Sequence, residues 1–132
     1  MPAPLGKTPT KRMPDIQVFG MGDSRDTRAA QRFFRERRVV VSYVDLRKRR
    51  IAPAELRRFV DGLGAAALLD ETSRAYRDAG LGYLRMDDAG IVERLLANVD
   101  LLRLPLVRYG NEVTAGLAEA TWTAWLKAAS GP

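Results

Sequence analysis

Cysteine is absent from the 132-residue chain, and so is histidine. The first absence excludes disulfides, thiolate catalysis, and zinc or iron–sulfur ligation through sulfur. The second removes the usual metal ligand and the usual general base, leaving carboxylates, lysine and tyrosine for any chemistry. No metal site and no cofactor are expected from that repertoire. No apolar run reaches membrane-spanning length, and no secretory apolar segment stands near the start. No membrane partner is therefore expected, and residence in the cytoplasm is the default reading. No internal repeat is visible either.

What is present describes an ordinary globular chain. Apolar residues make up 46% and charged residues 29%, and a chain of this size forms one domain that buries roughly two thirds of its unfolded surface. The net charge of +6 comes mostly from arginine. That excess favours an anionic partner, but a GC-rich genome would produce the same bias without one. Residues 1–14, with Pro2, Pro4, Pro9 and Pro14 and no periodic apolar pattern, read as a disordered leader to a single domain over 15–129.

The chain is organised around residues 18–27. Ile16, Val18 and Phe19 read as a short buried strand, Gly20 and Gly22 as the glycines of a tight turn, and Asp23 or Ser24 as the N-cap of a basic helix. Such a strand-turn-helix presents free backbone N–H groups and the positive end of a helix dipole, which is where thiol enzymes hold a low-pKa cysteine. Here the first turn position is Met21, whose thioether does not ionise.

The helix is expected from Ser24 to about Arg37, with Ala29, Ala30, Phe33 and Phe34 inward and Arg25, Arg28, Arg32 and Arg35 outward. Val39 to Val44, rich in β-branched valine, is expected as a strand buried on both faces beside the first. Asp45 to Arg50 forms a basic crossover. Pro53 opens a helix with Leu56, Phe59, Val60 and Leu63 on its apolar face, ended by Gly62 and Gly64. Two short helices, Ala65–Leu69 and Ser73–Ala79, precede a third capped by Asp87-Asp88 that turns Ile91, Val92, Leu95 and Leu96 inward. Leu104–Tyr109 and Glu112–Thr114 are expected as a hairpin closed at Gly110-Asn111. Leu117 to Ala128 is the closing helix, with Leu117, Trp122, Trp125 and Leu126 inward.

Met21-Gly22-Asp23-Ser24-Arg25-Asp26-Thr27 resembles the Cys-Gly-x-Ser-Arg-Asn-Thr turn of the arsenate reductase (ArsC) and Spx-like branch of the thioredoxin fold. Methionine replaces the cysteine and Asp26 the asparagine. Leu68-Leu69-Asp70 running to Tyr76, Gly80 and Leu81 resembles the family's Leu-Leu-Arg...Tyr-x-x-x-Gly-Leu segment, and Arg103-Leu104-Pro105-Leu106-Val107 its Arg-Pro-Ile-Val segment. The matches lie in family order over roughly residues 15–128. The resemblance implies an α/β thioredoxin-like fold, a four-stranded mixed sheet flanked by helices, with an ArsC-type helical insertion. It implies a cis bond before Pro105, whereas a strand-edge proline read without the resemblance would be trans.

The resemblance also implies arginines that hold an oxyanion, one after the Leu-Leu pair and one immediately before the cis-proline. Those positions are Asp70 and Leu104, with Arg103 displaced by one residue and hence turned to the other face of a strand. Asp70 has a plainer reading as the cap of the following short helix. Arg25 survives from the motif, either to face an anion or to pair with Asp23 or Asp26. Met21 reads as packing that fills the place of the thiol, with methionine oxidation a remoter alternative. No catalytic residue is assigned. Met21, Gly22, Asp23, Ser24 and Arg25 are expected on one side of a degenerate groove and Leu104 and Pro105 on the other, with Asp70 beside them and Arg103 at the rim.

A basic series, Arg47-Lys48-Arg49-Arg50 with Arg57-Arg58 and Arg35, Arg37 and Arg38, is the clearest surface feature. It suits phosphate contacts, but Glu36, Glu55 and Asp61 dilute it and no recognition helix or stacking platform accompanies it. A solvated face is the simpler reading. Three functions follow. The first is a noncatalytic regulatory or protein-binding module using the former active-site groove, for which the Spx resemblance implies RNA polymerase as the partner. The others are an arsenate reductase-type or glutathione-dependent oxidoreductase, which lacks its nucleophile here, and a nucleic-acid-associated accessory protein.

Overall fold

A computed structural model describes residues 16–130, and the stretch read as a leader, residues 1–14, lies outside the described residues. Four strands, β1 (Ile16–Gly20), β2 (Ser42–Asp45), β3 (Leu106–Tyr109) and β4 (Glu112–Ala115), form one mixed sheet in the order β2-β1-β3-β4. β2 runs parallel to β1, which requires a crossover, and helix α1 (Arg25–Glu36) supplies it. β3 runs antiparallel to β1 and β4 antiparallel to β3. This is the α/β, thioredoxin-like arrangement expected from the sequence.

Strand alternation divides the interior into two layers. Val18 is opposite Val107 and Phe19 opposite Leu106, and successive side chains on a strand point to opposite faces. Val18 and Val107 accordingly pack with Phe33 and Phe34 of α1 and with Trp122 and Trp125 of α5 (Glu119–Ser130). The Trp122 indole N–H, fully buried, donates to Thr114 Oγ1 at 2.9 Å. Phe19 and Leu106 pack on the other face with Leu56 and Phe59 of α2 (Pro53–Leu63), and the rings of Phe19 and Phe59 meet edge-to-face at 5.7 Å.

The helical insertion lies on this second face. It contains α3 (Arg74–Asp78) and α4 (Asp88–Ala97), with 3₁₀ turns at Ala66–Leu68, Leu81–Tyr83 and Val99–Leu101. Its two ends are tied by a short antiparallel pairing of Leu69 with Leu102, in which Asp70 N–H donates to Leu101 O and Arg103 N–H to Leu68 O, both at 2.8 Å. The segment leaving α2 and the segment approaching Pro105 are thereby held side by side. The Leu104-Pro105 bond is cis.

Several boundaries differ from those expected. The Val39–Val44 strand is in fact Ser42–Asp45, and it is a half-exposed edge strand rather than one buried on both faces. The reason lies at the end of α1, where Arg38 takes a left-handed conformation at φ 58°. Arg38 N–H donates to Arg35 O and Val39 N–H to Phe34 O, a Schellman closure with Val39 folded back on the Phe34 layer. That return uses up residues 39–41 and leaves Val40 79% exposed. Leu104 and Pro105 precede β3 rather than opening it, since a proline has no N–H to give the ladder. Leu117 also lies ahead of its helix, and it is exposed.

Gly62 does not end α2; Gly64, at φ 87°, does. Gly62 sits within the last turn because a Cβ there would collide with Val113 Cγ2 of β4. We predict that Gly62→Ala lowers the melting temperature, because displacing Val113 costs about 1–3 kcal/mol against a helix-propensity gain of about 1 kcal/mol. In a Val113→Ala background the same substitution should raise it. Thermal melts of the four proteins of this double-mutant cycle check the coupling.

Candidate functional site

The turn between β1 and α1 is shaped by one close approach. Thr27, fully buried on α1, lies so near Gly20 that any Cβ at residue 20 would collide with it. The Met21 N–H points to Thr27 Oγ1 at 3.4 Å, and the Met21 carbonyl accepts the Ser24 N–H at 3.0 Å. Ser24 caps the helix, its Oγ taking the Thr27 N–H at 3.2 Å. Gly22 meets no such constraint: a Cβ there would find open space. Its carbonyl accepts from Arg28 at 2.8 Å.

Met21, Ser24, Arg25, Asp70 and Leu104 line a shallow groove of about 300 Å³, joined there by Asp26, Asp100 and Leu102. Met21 is only 6% exposed and packs into the core beside Leu46 and Leu104. Gly22 and Asp23 belong to the same turn but do not line the groove. Asp23 faces away to Arg47, whose Nη2 lies 2.9 Å from Asp23 Oδ2 and 3.5 Å from Asp100 Oδ1. The guanidinium hydrogen bond from Arg47 holds the Asp23 carboxyl below its ordinary value. Arg25 thus has no ion pair among the described residues, with either Asp23 or Asp26.

Asp70 does not cap α3; Ser73 does, accepting the Tyr76 N–H at 3.0 Å. Asp70 braces the preceding turn, where Oδ1 accepts the Thr72 hydroxyl at 2.6 Å and the Thr72 N–H at 3.0 Å. The pairing at the base of the insertion brings it beside Leu104. Arg103 lines an adjoining depression of about 540 Å³ that also takes in Asp26, Asp70 and Leu104. Its guanidinium lies over Gly116, where a Cβ would come within 2.8 Å of Arg103 Nε. Pro105 is buried behind the groove.

Two features carry the chemistry. The turn that would hold a nucleophile holds a packed thioether, and three carboxylates surround it against one arginine. Beside it, Leu104 has neither its N–H nor its C=O hydrogen-bonded among the described residues, although the flanking Arg103 N–H and Pro105 C=O are both taken. No group of carboxylates among the described residues is arranged to hold a metal ion. Asp26 and Asp100 were not among the residues expected here. Asp26 had a signal, since it replaces the asparagine of the motif; Asp100 had none, being delivered by the return of the insertion.

The basic series is partly engaged within the molecule. Arg49 makes a two-pronged pair with Glu55, Nη1 to Oε1 at 2.9 Å and Nη2 to Oε2 at 2.8 Å, and Glu55 Oε1 also accepts the Ala52 N–H at the start of α2. Arg47 is held by Asp23 and Asp100. Arg47, Lys48, Arg49 and Arg50 line one groove and Arg58 another, beside Arg108, while Arg57 lines neither. Arg37 lies over the Phe33 ring at 3.7 Å. No helix among the described residues is long and apolar enough to cross a membrane.

A model of the ArsC family matches residues 19–125. No curated protein matches the chain. Among solved structures, the YffB protein is similar with a TM-score of 0.79 at 19% identity, over 85% of this chain and 99% of that one. A putative ArsC family related protein from Bacteroides fragilis gives 0.77 at 16% identity, over 85% and 98%. An arsenate reductase from Vibrio cholerae gives 0.67 at 14% identity, over 76% and 87%. At these identities the likeness establishes the fold.

The Arg49–Glu55 pair generates a pH prediction. Arg49's hydrogen bond, supported by the Ala52 N–H, holds the Glu55 carboxyl below its ordinary value despite partial burial. A depressed carboxylate contributes stability above its unfolded pKa and loses it as pH falls through the folded one. Glu55→Gln should therefore cost about 1 kcal/mol at neutral pH. The difference from wild type should shrink as the pH of urea melts is lowered from about 7 to about 3.

Proposed function

The chain belongs to the ArsC family, and we propose that it is a member without thiol chemistry, a noncatalytic module that binds a polypeptide at the former active-site groove. The observation that carries this reading is the pairing of Met21 with Leu104. Met21 puts an unreactive side chain at the turn where a thiol would act, and the sequence has no cysteine to take its place. Leu104, across the groove and next to the cis-proline, has neither its N–H nor its C=O bonded among the described residues. An extended peptide pairs with such a residue by strand addition. RNA polymerase is the partner that the Spx resemblance implies, and a regulatory role goes with it.

Electrostatics argue against the reductase reading. A dianion meeting a carboxylate at about 6 Å is opposed by about 3 kcal/mol per unit charge at an effective dielectric of about 20. Among the described residues, three carboxylates line this groove and Arg25 is the one cation lining it. A nucleic-acid role is weakened by the internal pairs that engage Arg47 and Arg49 of the basic series.

The purified protein should give no arsenate turnover with glutathione and glutaredoxin supplied. Met21→Cys should introduce a thiol that reacts with a disulfide reagent yet still give no turnover, because Asp70 and Leu104 stand where the family resemblance places arginines. Wild-type turnover would sink the noncatalytic reading, and turnover in Met21→Cys alone would sink the account of the lost arginines. Binding is read separately, by pull-down with purified RNA polymerase and by amide shifts at residues 21–26 and 102–104 on addition of the captured partner.

A further inference from the structure

A second groove, of about 520 Å³, lies between the β2–α2 crossover and the end of α4, and it shares only Asp100 with the site above. Its floor is apolar: Leu46 and Ile51 are buried, and Leu96 and Val99 pack against them while remaining partly open. One rim is the run Arg47 to Arg50. Two of these cations already hold carboxylates, Arg47 with Asp23 and Asp100 and Arg49 with Glu55. Lys48 and Arg50 are exposed and have no carboxylate partner among the described residues. The opposite wall is the last turn of α4. Its Arg94 carbonyl accepts the Asn98 N–H, whereas the carbonyls of Leu95, Leu96 and Ala97 have no partner among the described residues.

We propose that this groove docks an acidic segment of a partner protein, with carboxylates against Lys48 and Arg50 and an apolar side chain between Leu96 and Val99. Charge complementarity selects the sign, since the rim binds carboxylates within the molecule and has two cations left over. The free carbonyls select a polypeptide, which has N–H groups to donate. A phosphodiester backbone has none, and no aromatic side chain among the described residues lines the groove for a base to stack on. A second copy of the chain, itself carrying +6, is opposed by its own charge. The inference does not depend on the reading of the Met21 groove.

The test is a titration of the full chain with a short peptide of alternating glutamate and leucine, followed by amide shifts and by fluorescence anisotropy. A lysine–leucine peptide and a single-stranded oligonucleotide run in parallel. Saturable shifts over residues 46–51 and 95–100 are expected with the acidic peptide only. Lys48→Glu with Arg50→Glu should weaken binding by about tenfold or more, while the charge control Arg32→Glu, on the exposed face of α1, binds much more nearly as wild type does. If the double reversal does not fold, Lys48→Gln with Arg50→Gln serves, with a smaller loss in the same direction. Absence of binding, shifts confined to other residues, or equal weakening by Arg32→Glu overturns the proposal. Tighter binding of the oligonucleotide at these amides overturns it in favour of a nucleic-acid surface.

Discussion

Two backbone hydrogen bonds at the base of the helical insertion, Asp70 to Leu101 and Arg103 to Leu68, are the constraint on which the groove depends. Without them the insertion is a long excursion whose ends have no fixed relation. With them, the segment after α2 and the segment before Pro105 form one wall, and Asp70, Asp100 and Leu104 are placed together opposite the Met21 turn. The opposite wall rests on a contact as specific, the approach of Thr27 to Gly20, which seats α1 on the end of β1. Neither contact needs a cysteine. The scaffold's geometry is therefore separable from the thiol chemistry that the turn supports elsewhere in the fold.

That separation explains how methionine sits at residue 21. A thiol at a helix start is useful because the dipole and free N–H groups stabilise its anion. A thioether has no anion to stabilise, and its flexible apolar side chain is better spent filling space. Met21 does this, packing in the same layer as Leu46 and Leu104 at 6% exposure. Once no anion is held, carboxylates near the turn carry no catalytic penalty. On the noncatalytic reading proposed above, Asp26, Asp70 and Asp100 stand at the groove without that cost.

Features written in consecutive residues were legible in the sequence: the strand running into a capped turn, the period of α1 and α2, the Gly110-Asn111 hairpin, and the family-order matches that led to the fold and to the cis-proline. Those that failed depend on a backbone choice or on tertiary contact. The run Val39–Val44 reads as a buried strand, but the left-handed Arg38 closes α1 in a Schellman turn and spends the first three residues of the run on the return. Gly62 reads as a terminator, yet it is a spacer for Val113, fifty-one residues later in the chain. Arg47 reads as one of a solvated series and is exposed, but its pairing with Asp23 and Asp100 was not legible. No local pattern encodes which carboxylate an arginine will find across the fold.

This pairing links the two grooves physically. Arg47 belongs to the basic rim, while its partner Asp100 lines both grooves and its partner Asp23 sits in the turn beside Met21. Both ion pairs are about half exposed, so each is screened by water and contributes little to stability. A weak clamp of this kind does not hold the fold together. It sets where three charges stand, and a carboxylate brought to the rim would compete for Arg47 on nearly equal terms. Releasing Asp100 from that pair would leave its charge less compensated in the groove below Leu104. Only a ligand that takes Arg47 from Asp100 would be felt in the other groove by this route, and the effect would fade with added salt because the pair is exposed.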